Sequence, residues 1–453
     1  MSPKSVVVLG GGSVQNALCN RLLHQAGLAD SRVRGSPVMD SLDGLIDVCR
    51  GADIVYLLSA LDLPAMPDEA NLRIFRAGVD RVLESCQECG IGNLVFMSSS
   101  RVVSRRIRGA QAVQENSPFV TVEEDEIGHA IAIAEAEVLK VSGTLNYGGS
   151  CLYTCALRPA ALFGTGEDRS IHRALSWVGW GLNRVAVCPR NVQRDMLFEE
   201  NLIEAQLLVG KKLAEGTAGA RAAGSGWSAP PICSGQAYFV TDGHPYNPQG
   251  MMDDILERLD FPTAKLIYVP RIIALAIAGG AELIWKMRSS QAPVLTQQEV
   301  EMLTKSRRFS ITRLQKDVGY TPSVDPSTAL NITVETLKGE GWGRHIFASP
   351  GLVWWVASIL GMWLMTISAF ENACPKFLLP FQRYVFYLHI SVFRTMWILR
   401  LGCVLAYAVH LWEGWYAFGL ALKAGHRDTA PLWLIQTTVL GYPSLRLLLR
   451  LLS

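Results

Sequence analysis

The sequence predicts an α/β chain, a doubly wound parallel sheet followed by an α-helical membrane-embedded region, and three observations carry that prediction. Short apolar runs such as VVVL (Val6–Leu9), ADIVYLLSA (Ala52–Ala60) and the run in NLVFMSSS alternate with amphipathic segments, the pattern of parallel strands and crossover helices. A glycine turn, Gly10 to Gly12, follows the first of these runs directly. Hydropathy then rises in the last quarter of the chain, where Gly351 to Phe370 contains no charged residue, close to the roughly 20 apolar residues that span a bilayer.

With 453 residues the chain is long enough for more than one domain, and we expect a boundary between 345 and 346. Lys and Arg total 42 against 40 Asp and Glu, a formal charge of +2. No global field therefore argues for nucleic acid or an acidic partner. The opening MSPKSVVVLGGG enters a strand at once, without the apolar core of a signal peptide, so the N-terminal region is expected in the cytosol. The ten cysteines show no framework and read as reduced thiols. Cys86 and Cys89 form a CxxC, but within a helical pattern and without a second pair to complete a metal site.

Taken in order, SVVVLGGGSVQNALCNRLL reads as strand, glycine turn and helix. A dinucleotide turn uses one glycine for the bend, one for approach to the pyrophosphate and one for helix packing. Gly10, Gly11 and Gly12 supply the bend, while Ser13 and Asn16 stand at the later positions. A second strand is short, at Arg32 to Arg34, and Asp30 and Asp40 are poor partners for a ribose. The segment after Asp68 reads as a long helix ending near Gly90, and NLVFMSSS as a strand presenting Ser98, Ser99 and Ser100 at its end.

EIGHAIAIAEAEVLK, Glu126 to Lys140, reads as a core helix with Ile127, Ile131, Ala134 and Val138 on its apolar stripe and Glu135 outside it. CLYTCALRPAALFGTGED then supplies a strand and a loop, and Thr296 with Glu299 forms a capping box. Leu266 to Met287 is apolar but interrupted by Pro270, Arg271, Glu282 and Lys286, consistent with either a groove-forming or a membrane-surface helix. Beyond His345, Leu401 to Leu422 and Pro431 to Leu449 are further spans, and the segment with Arg383 and His389 is interfacial or a poor span. His410 and Glu413 share one face of the second span, and Trp354, Trp355, Trp412 and Trp415 suit interface belts.

TCALRPAALFGTGED, GQAYFVTDGHPYN and LTQQEVEMLTKSRRFSITRLQKDVGYTP, in this order, carry a resemblance over residues 5 to 345. The chain resembles the extended short-chain dehydrogenase/reductases and, within them, the 3β-hydroxysteroid dehydrogenase/isomerase family, especially its membrane-anchored sterol-dehydrogenase-like members. LAYAVHLWEGWYAF and LWLIQTTVLGYPSLRLLL resemble a family of small multi-pass membrane proteins. The first resemblance implies a Rossmann-like fold with a small C-terminal substrate lobe, NAD as cofactor, and a sterol, steroid or other lipid as substrate. It implies cofactor contacts at Gly10, Gly11, Gly12, Ser13, Ser59 and Pro159, and a multi-pass protein of the endoplasmic reticulum, with homo- or hetero-oligomers left open.

The family's chemistry uses a Tyr as proton donor or acceptor, a Lys four residues later and a Ser that orients the substrate oxygen. The register carries the Ser to Ser99, but the Tyr and Lys fall on Ile127 and Ile131. Two readings follow: an NAD-dependent sterol or steroid oxidoreductase with degenerate relay positions, and a catalytically inactive pseudoenzyme that serves as a lipid-binding scaffold or partner subunit. A third places function in the C-terminal module.

Overall fold

The structure, a computed structural model, describes residues 5–25, 33–36, 41–58, 63, 69–104, 112–164, 171–172, 175, 185–187, 189, 191–222, 230–259, 267–288, 296–342, 347, 349–370, 379–424, 426–427 and 429–452. Ser59, Asp30, Asp40 and the expected boundary at 345 and 346 lie outside the described residues.

The chain begins with the strand–helix alternation expected of it: β1 (Val6–Leu9), α1 (Gly12–Gln25), β2 (Val33–Ser36), α2 (Leu42–Cys49), β3 (Ile54–Leu57), α3 (Glu69–Glu88) and β4 (Asn93–Met97). A single 3-10 turn, Ser100–Val102, follows β4, and α4 (Glu126–Lys140) leads through β5 (Thr144–Leu145) to β6 (Cys151–Pro159). The main sheet has the order β2-β1-β3-β4-β6 with a further strand beyond β6, β10 (Gln236–Val240). All these neighbours are parallel; β5 adds an antiparallel stub to β6. Strands β1, β3 and β4 are wholly buried and, but for Asn93 at the start of β4, are apolar runs, as a sheet covered on both faces requires.

The helices α2, α3 and α4 pack successively on one another, whereas α5 (Glu199–Ala222) packs on α1, β4 and β6. Gly210 of α5 lies directly over β3, because a Cβ there would sit 2.0 Å from the hydroxyl of the fully buried Tyr56. Cys86 and Cys89 both lie on α3, and every described cysteine is a free thiol. Burial pushes the Cys86 thiol well up, so it packs as an inert apolar group.

A smaller sheet is built from β7 (Ala161–Phe163), β9 (Arg194–Phe198) and β11 (Pro245–Tyr246), with β9 central. Helices α6 (Pro248–Arg258), α7 (Arg271–Arg288), α8 (Gln297–Thr304), α9 (Thr312–Val318) and α10 (Pro326–Gly339) follow it in sequence, and α9 packs on β10 of the main sheet. The capping box of Thr296 and Glu299 opens α8 as the sequence predicts. Helix α7 starts after Pro270, and among its described side chains Ala274 and Ala278 are buried while Ile272, Ile273, Ile277 and Leu283 are exposed.

Two compact units result: one of Met1–Arg169, Val187–Ile255 and Val269–Thr336, the other of Ser170–Ala186, Leu256–Tyr268 and Leu337–Ser453. The second contains the parallel pair β8 (Val185–Ala186) and β12 (Ile267–Tyr268). It also holds five apolar helices: α11 (Leu352–Ala369), α12 (Leu379–Phe393), α13 (Met396–Lys423), α14 (Ala430–Leu440) and α15 (Tyr442–Leu452).

The expected first span is shorter than its composition suggests. Helix α11 has 18 residues, about 27 Å at roughly 1.5 Å per residue, against a hydrocarbon core of about 30 Å. The expected span from Pro431 to Leu449 is broken at Gly441, whose φ of 68° ends α14. A Cβ at Gly441 would also meet His410 Nε2 at 2.9 Å and Glu413 Oε2 at 3.0 Å, so α13 fills the space where a side chain would go. Among the described residues no single helix is long and apolar enough to cross a membrane, although Phe381–Phe393 and Met396–Lys423 together are, bent by 93°.

Candidate functional site

In an open parallel sheet the site lies beyond the carboxyl ends of the strands. The register aligns those ends here: Leu9 pairs with Leu57, Leu57 with Phe96, and Met97 with Leu157. Gly10, Ser98, Ser99 and Pro159 therefore come to one edge of the sheet, although the sequence scatters them over 150 positions. Pro159 ends β6 opposite Val240, and the next N–H, of Ala160, donates to the Val240 carbonyl at 2.9 Å.

At the β1–α1 turn Gly10 and Gly12 have φ of 138° and 87°, values that L side chains rarely adopt. Gly12 opens α1, so the helix N-terminus faces this turn. Ser13 follows in the first turn of α1, and Gln15, buried behind it, donates from Nε2 to the Val8 carbonyl at 3.4 Å. Asn16, at the expected third-glycine position, points outward and leaves the close packing of α1 on β1 to Val14 and Leu18.

Beyond β4 the three serines have different tasks. Ser98 is fully buried and its Oγ donates to Glu135 Oε2 at 2.5 Å. The Ser99 hydroxyl, half-buried, accepts from the Arg101 N–H at 3.2 Å and caps the 3-10 turn that Ser100 begins. Ser99 and Ser100 are both half-buried, and of these two Ser99 directly follows the buried Ser98 at the strand end.

Helix α4 is held at both ends. At its start Asp125 is the N-cap, accepting from the Gly128 N–H at 3.0 Å, and Arg101 grips the same carboxylate through Nε at 2.9 Å and Nη2 at 2.7 Å. Gly128 admits the contact: a Cβ there would lie 2.6 Å from the Arg101 carbonyl oxygen. His129 donates from Nδ1 to the Val120 carbonyl at 3.0 Å, since a carbonyl can only accept. Two turns on, Glu135 is fully buried and paired with Arg158 through Nε at 3.0 and 3.1 Å and Nη2 at 2.5 Å. Arg158 also donates from Nη1 to the Glu115 carbonyl at 2.9 Å and lies over the rings of Phe119 and Phe239.

Glu135 was expected outside the apolar stripe and is instead in its midst. Helical spacing assigns a face but not a partner, and a charge two strands away is what makes this burial tolerable. The signal that could have found it is Arg158, a cation inside an otherwise apolar strand run.

Ile127 and Ile131 are 8% and 2% exposed, so the positions assigned to Tyr and Lys are apolar and enclosed. Among the described residues, the other candidates do not take over. His129 is committed to Val120. Tyr153 pairs in register with Asn93, the first residue of β4, about 16 Å along the strand from Ser98 at roughly 3.3 Å per residue. Tyr147 is exposed beyond that same far edge, its N–H donating to Gln87. Among the described residues the edge holds a hydroxyl, Ser99, but no tyrosine or lysine at the relay positions.

The smaller sheet is fixed by two buried carboxylates. Asp242 accepts from the Phe198 N–H, from Asn201 Nδ2 at 2.8 Å and from the Tyr246 hydroxyl at 3.2 Å. Asp195 accepts from the Phe309 N–H at 2.6 Å. Burial raises both carboxyl pKa values, and the hydrogen bonds only partly offset it. Their donors are structural elements of the lobe, so they read as anchors of the lobe. No group of three or more His, Cys, Asp or Glu among the described residues could hold a metal.

Comparison with known proteins agrees with this architecture. Residues 7–271 match the model of the 3-beta hydroxysteroid dehydrogenase/isomerase family, and residues 353–450 match that of Transmembrane protein 254. The chain is 26% identical to the 3beta-hydroxysteroid-dehydrogenase/decarboxylase isoform 1 of Arabidopsis thaliana over 64% of its own length and 63% of that protein's, less than two thirds of it. It is 30% identical to short-chain dehydrogenase/reductase family 42E member 1 of Bos taurus, over 64% of this chain and 72% of the relative. Among solved structures, the epimerase Mth375 of Methanothermobacter thermautotrophicus shares the fold with a TM-score of 0.54 at 16% identity, covering 75% of this chain and 94% of that one. MoeE5, solved with UDP-glucuronic acid and NAD, gives 0.51 at 18% identity over 74% and 99%. The Rossmann-like parallel sheet expected from the sequence is thus the fold of these proteins.

Proposed function

The chain belongs to the 3-beta hydroxysteroid dehydrogenase/isomerase family, and from that premise we propose that it is a membrane-anchored member that binds NAD and a sterol- or steroid-class lipid but has lost its proton relay. It works by binding, as a pseudoenzyme scaffold or partner subunit, with hydride transfer reduced or absent. The observation that carries this reading is the pinned α4, with Asp125 and Glu135 tied down on either side of Ile127 and Ile131.

The residues at the sheet edge fit the cofactor at its pyrophosphate end. Gly10 and Gly12 adopt the conformations a dinucleotide turn requires, at a helix N-terminus that favours negative charge. NAD, when bound, would supply a hydride acceptor. Around it Gly10, Gly11, Gly12 and Ser13 would hold the phosphates, Ser99 would orient a substrate oxygen, and Pro159 would line the nicotinamide end. Ile127 and Ile131 would exclude water there without holding or moving a proton. A positioned general acid or base is worth roughly 10²- to 10⁴-fold in rate, or about 3–5 kcal/mol of barrier.

The decisive experiment is titration of the purified chain with NAD and NADP by calorimetry, beside a turnover assay on 3β-hydroxysterols. Binding with no turnover is expected. Failure to bind either nucleotide at millimolar concentration would remove the cofactor, and turnover at an ordinary enzyme's rate would restore the second reading, an active oxidoreductase, which the Ser99 hydroxyl and the left-handed Gly10 and Gly12 of the turn favour. The double variant Ile127→Tyr, Ile131→Lys should gain measurable oxidation of a bound sterol if the register is right.

For location, the match of residues 353–450 to Transmembrane protein 254 and the apolar helices of the second unit support membrane association. We propose a multi-pass C-terminal module over 346–453, in the endoplasmic reticulum, with residues 1–345 as a cytosolic domain. Asn331 lies in an NIT sequence, so it should carry no glycan when the protein is expressed in cells, and a glycan there would reverse the topology.

A further inference from the structure

We infer that α12 is an in-plane helix, lying along the headgroup layer of the bilayer with its aromatic face against lipid, and that it marks the level at which α11 ends and α13 begins. The inference rests on the membrane reading above and deepens it by naming the surface that meets the lipid interface. Helix α12 meets α13 at 93°. If α13 runs along the bilayer normal, α12 runs across it.

The bend is built in. Arg394, at the break, has a φ of 61°, a left-handed conformation that a residue with a side chain adopts only at a cost of about 1 kcal/mol. What holds it is the end of α11. The last carbonyls of a helix lack partners within it, and in lipid they could find none in solvent. Gln382 of α12 donates to the Ile367 carbonyl at 2.7 Å, and Arg400 of α13 donates from Nε to the Ala369 carbonyl at 3.1 Å. His389 of α12 reaches the Ser368 hydroxyl at 3.0 Å. Three side chains from two helices thus close the C-terminal turn of α11, and the Arg400 cation also complements its negative end.

The outward face of α12 has the chemistry of an interface. Phe381, Tyr384, Tyr387, Leu388 and Val392 are all exposed, whereas Gln382 and Val385 are buried. Tyrosine rings place an apolar body and a polar tip at one depth, and they are enriched at the membrane–water boundary. Trp397, exposed at the start of α13, continues the belt. From Leu379 to Trp412 the cations are Arg383, Arg394 and Arg400, with no Asp or Glu among them. That balance favours a layer of anionic headgroups over a protein partner, which an uncharged apolar face alone would not decide.

Spin labels at Phe381, Tyr384, Leu388 and Val392 on α12, and at Val404 on α13, test the inference in the full chain reconstituted into vesicles of phosphatidylcholine and phosphatidylserine. All five positions are exposed and outside the core, so labelling leaves the packing intact. Relaxation by oxygen against a water-soluble nickel chelate reads depth. The α12 labels, all on one face, should share one depth with no trend along the helix, and Val404 should lie deeper than all of them. A steady descent of about 1.5 Å per residue from Phe381 to Val392 would overturn the inference and make α12 a span. A Val404 label reached by nickel and not by oxygen would remove the membrane reading itself, a different failure.

Discussion

The two halves of α4 differ in what the chain has kept. The later half holds Glu135, a buried carboxylate with every oxygen engaged by Arg158 and Ser98. The earlier half holds Ile127 and Ile131, buried apolar residues that the register proposed above sets at the family's tyrosine and lysine positions. Both halves are enclosed, so burial alone does not separate them; polarity does. A buried ion cluster is tolerated only when complete, and damage to it is felt by the whole fold. A proton relay contributes nothing to folding, so apolar residues there cost the sheet nothing and pack well. On the proposed register, fold and chemistry are separable within two turns of one helix.

The largest expected effect breaks the comparison at its polar half. Arg158→Met leaves Glu135 charged and unpaired and should cost about 3–5 kcal/mol in urea unfolding, while Arg158→Met with Glu135→Leu should recover much of that loss. If the single change were as mild as the double, the cluster would not be what fixes α4. Gly128→Ala comes next, because the added methyl meets the Arg101 backbone oxygen, and it should cost about 1–3 kcal/mol. Asp125→Ala removes the cap and the partner of Arg101 together, with an expected loss of about 1–2 kcal/mol by the same measurement.

The smallest effect concerns the carboxylates of the small sheet, which lack a bidentate cation like Arg158. Burial raises Asp242 and Asp195 above their unfolded values. A raised carboxyl binds its proton more tightly when folded, so its contribution is fully present below the ordinary carboxylate range and lost as pH rises through the raised value. Stability measured by denaturant should fall over that window, and Asp242→Asn should flatten the slope. A slope unchanged in the variant would place the pH dependence elsewhere.

Much of the sheet was legible because its strands are apolar runs: β1 lies on VVVL, and β3 and β4 lie within the longer runs ADIVYLLSA and NLVFMSSS. The capping box at Thr296 was legible for the same kind of reason, since its partners sit three residues apart. The site was legible only where it is local: the glycine turn and Ser99 could be read, but the pairing of Glu135 with Arg158 joins residues on different elements. The breaks in the C-terminal helices were hidden too. Composition around Gly441 reads as one apolar run, and the break depends on side chains of α13 that occupy the glycine's missing Cβ.

The ion cluster also bears on the order in which the chain assembles. Ser98, Glu135 and Arg158 belong to one crossover, β4 through α4 to β6, separated by 37 and 23 positions. The entropy of closing such loops grows only as the logarithm of their length, so this crossover can find its contacts early and as a local unit. β10 must then travel from beyond α5 to pair with β6, a slower search. A chain emerging from the ribosome would have Arg158 and its carboxylate synthesised before the last strand of the sheet existed, so the cluster can form without that strand and without any reaction at the edge above it.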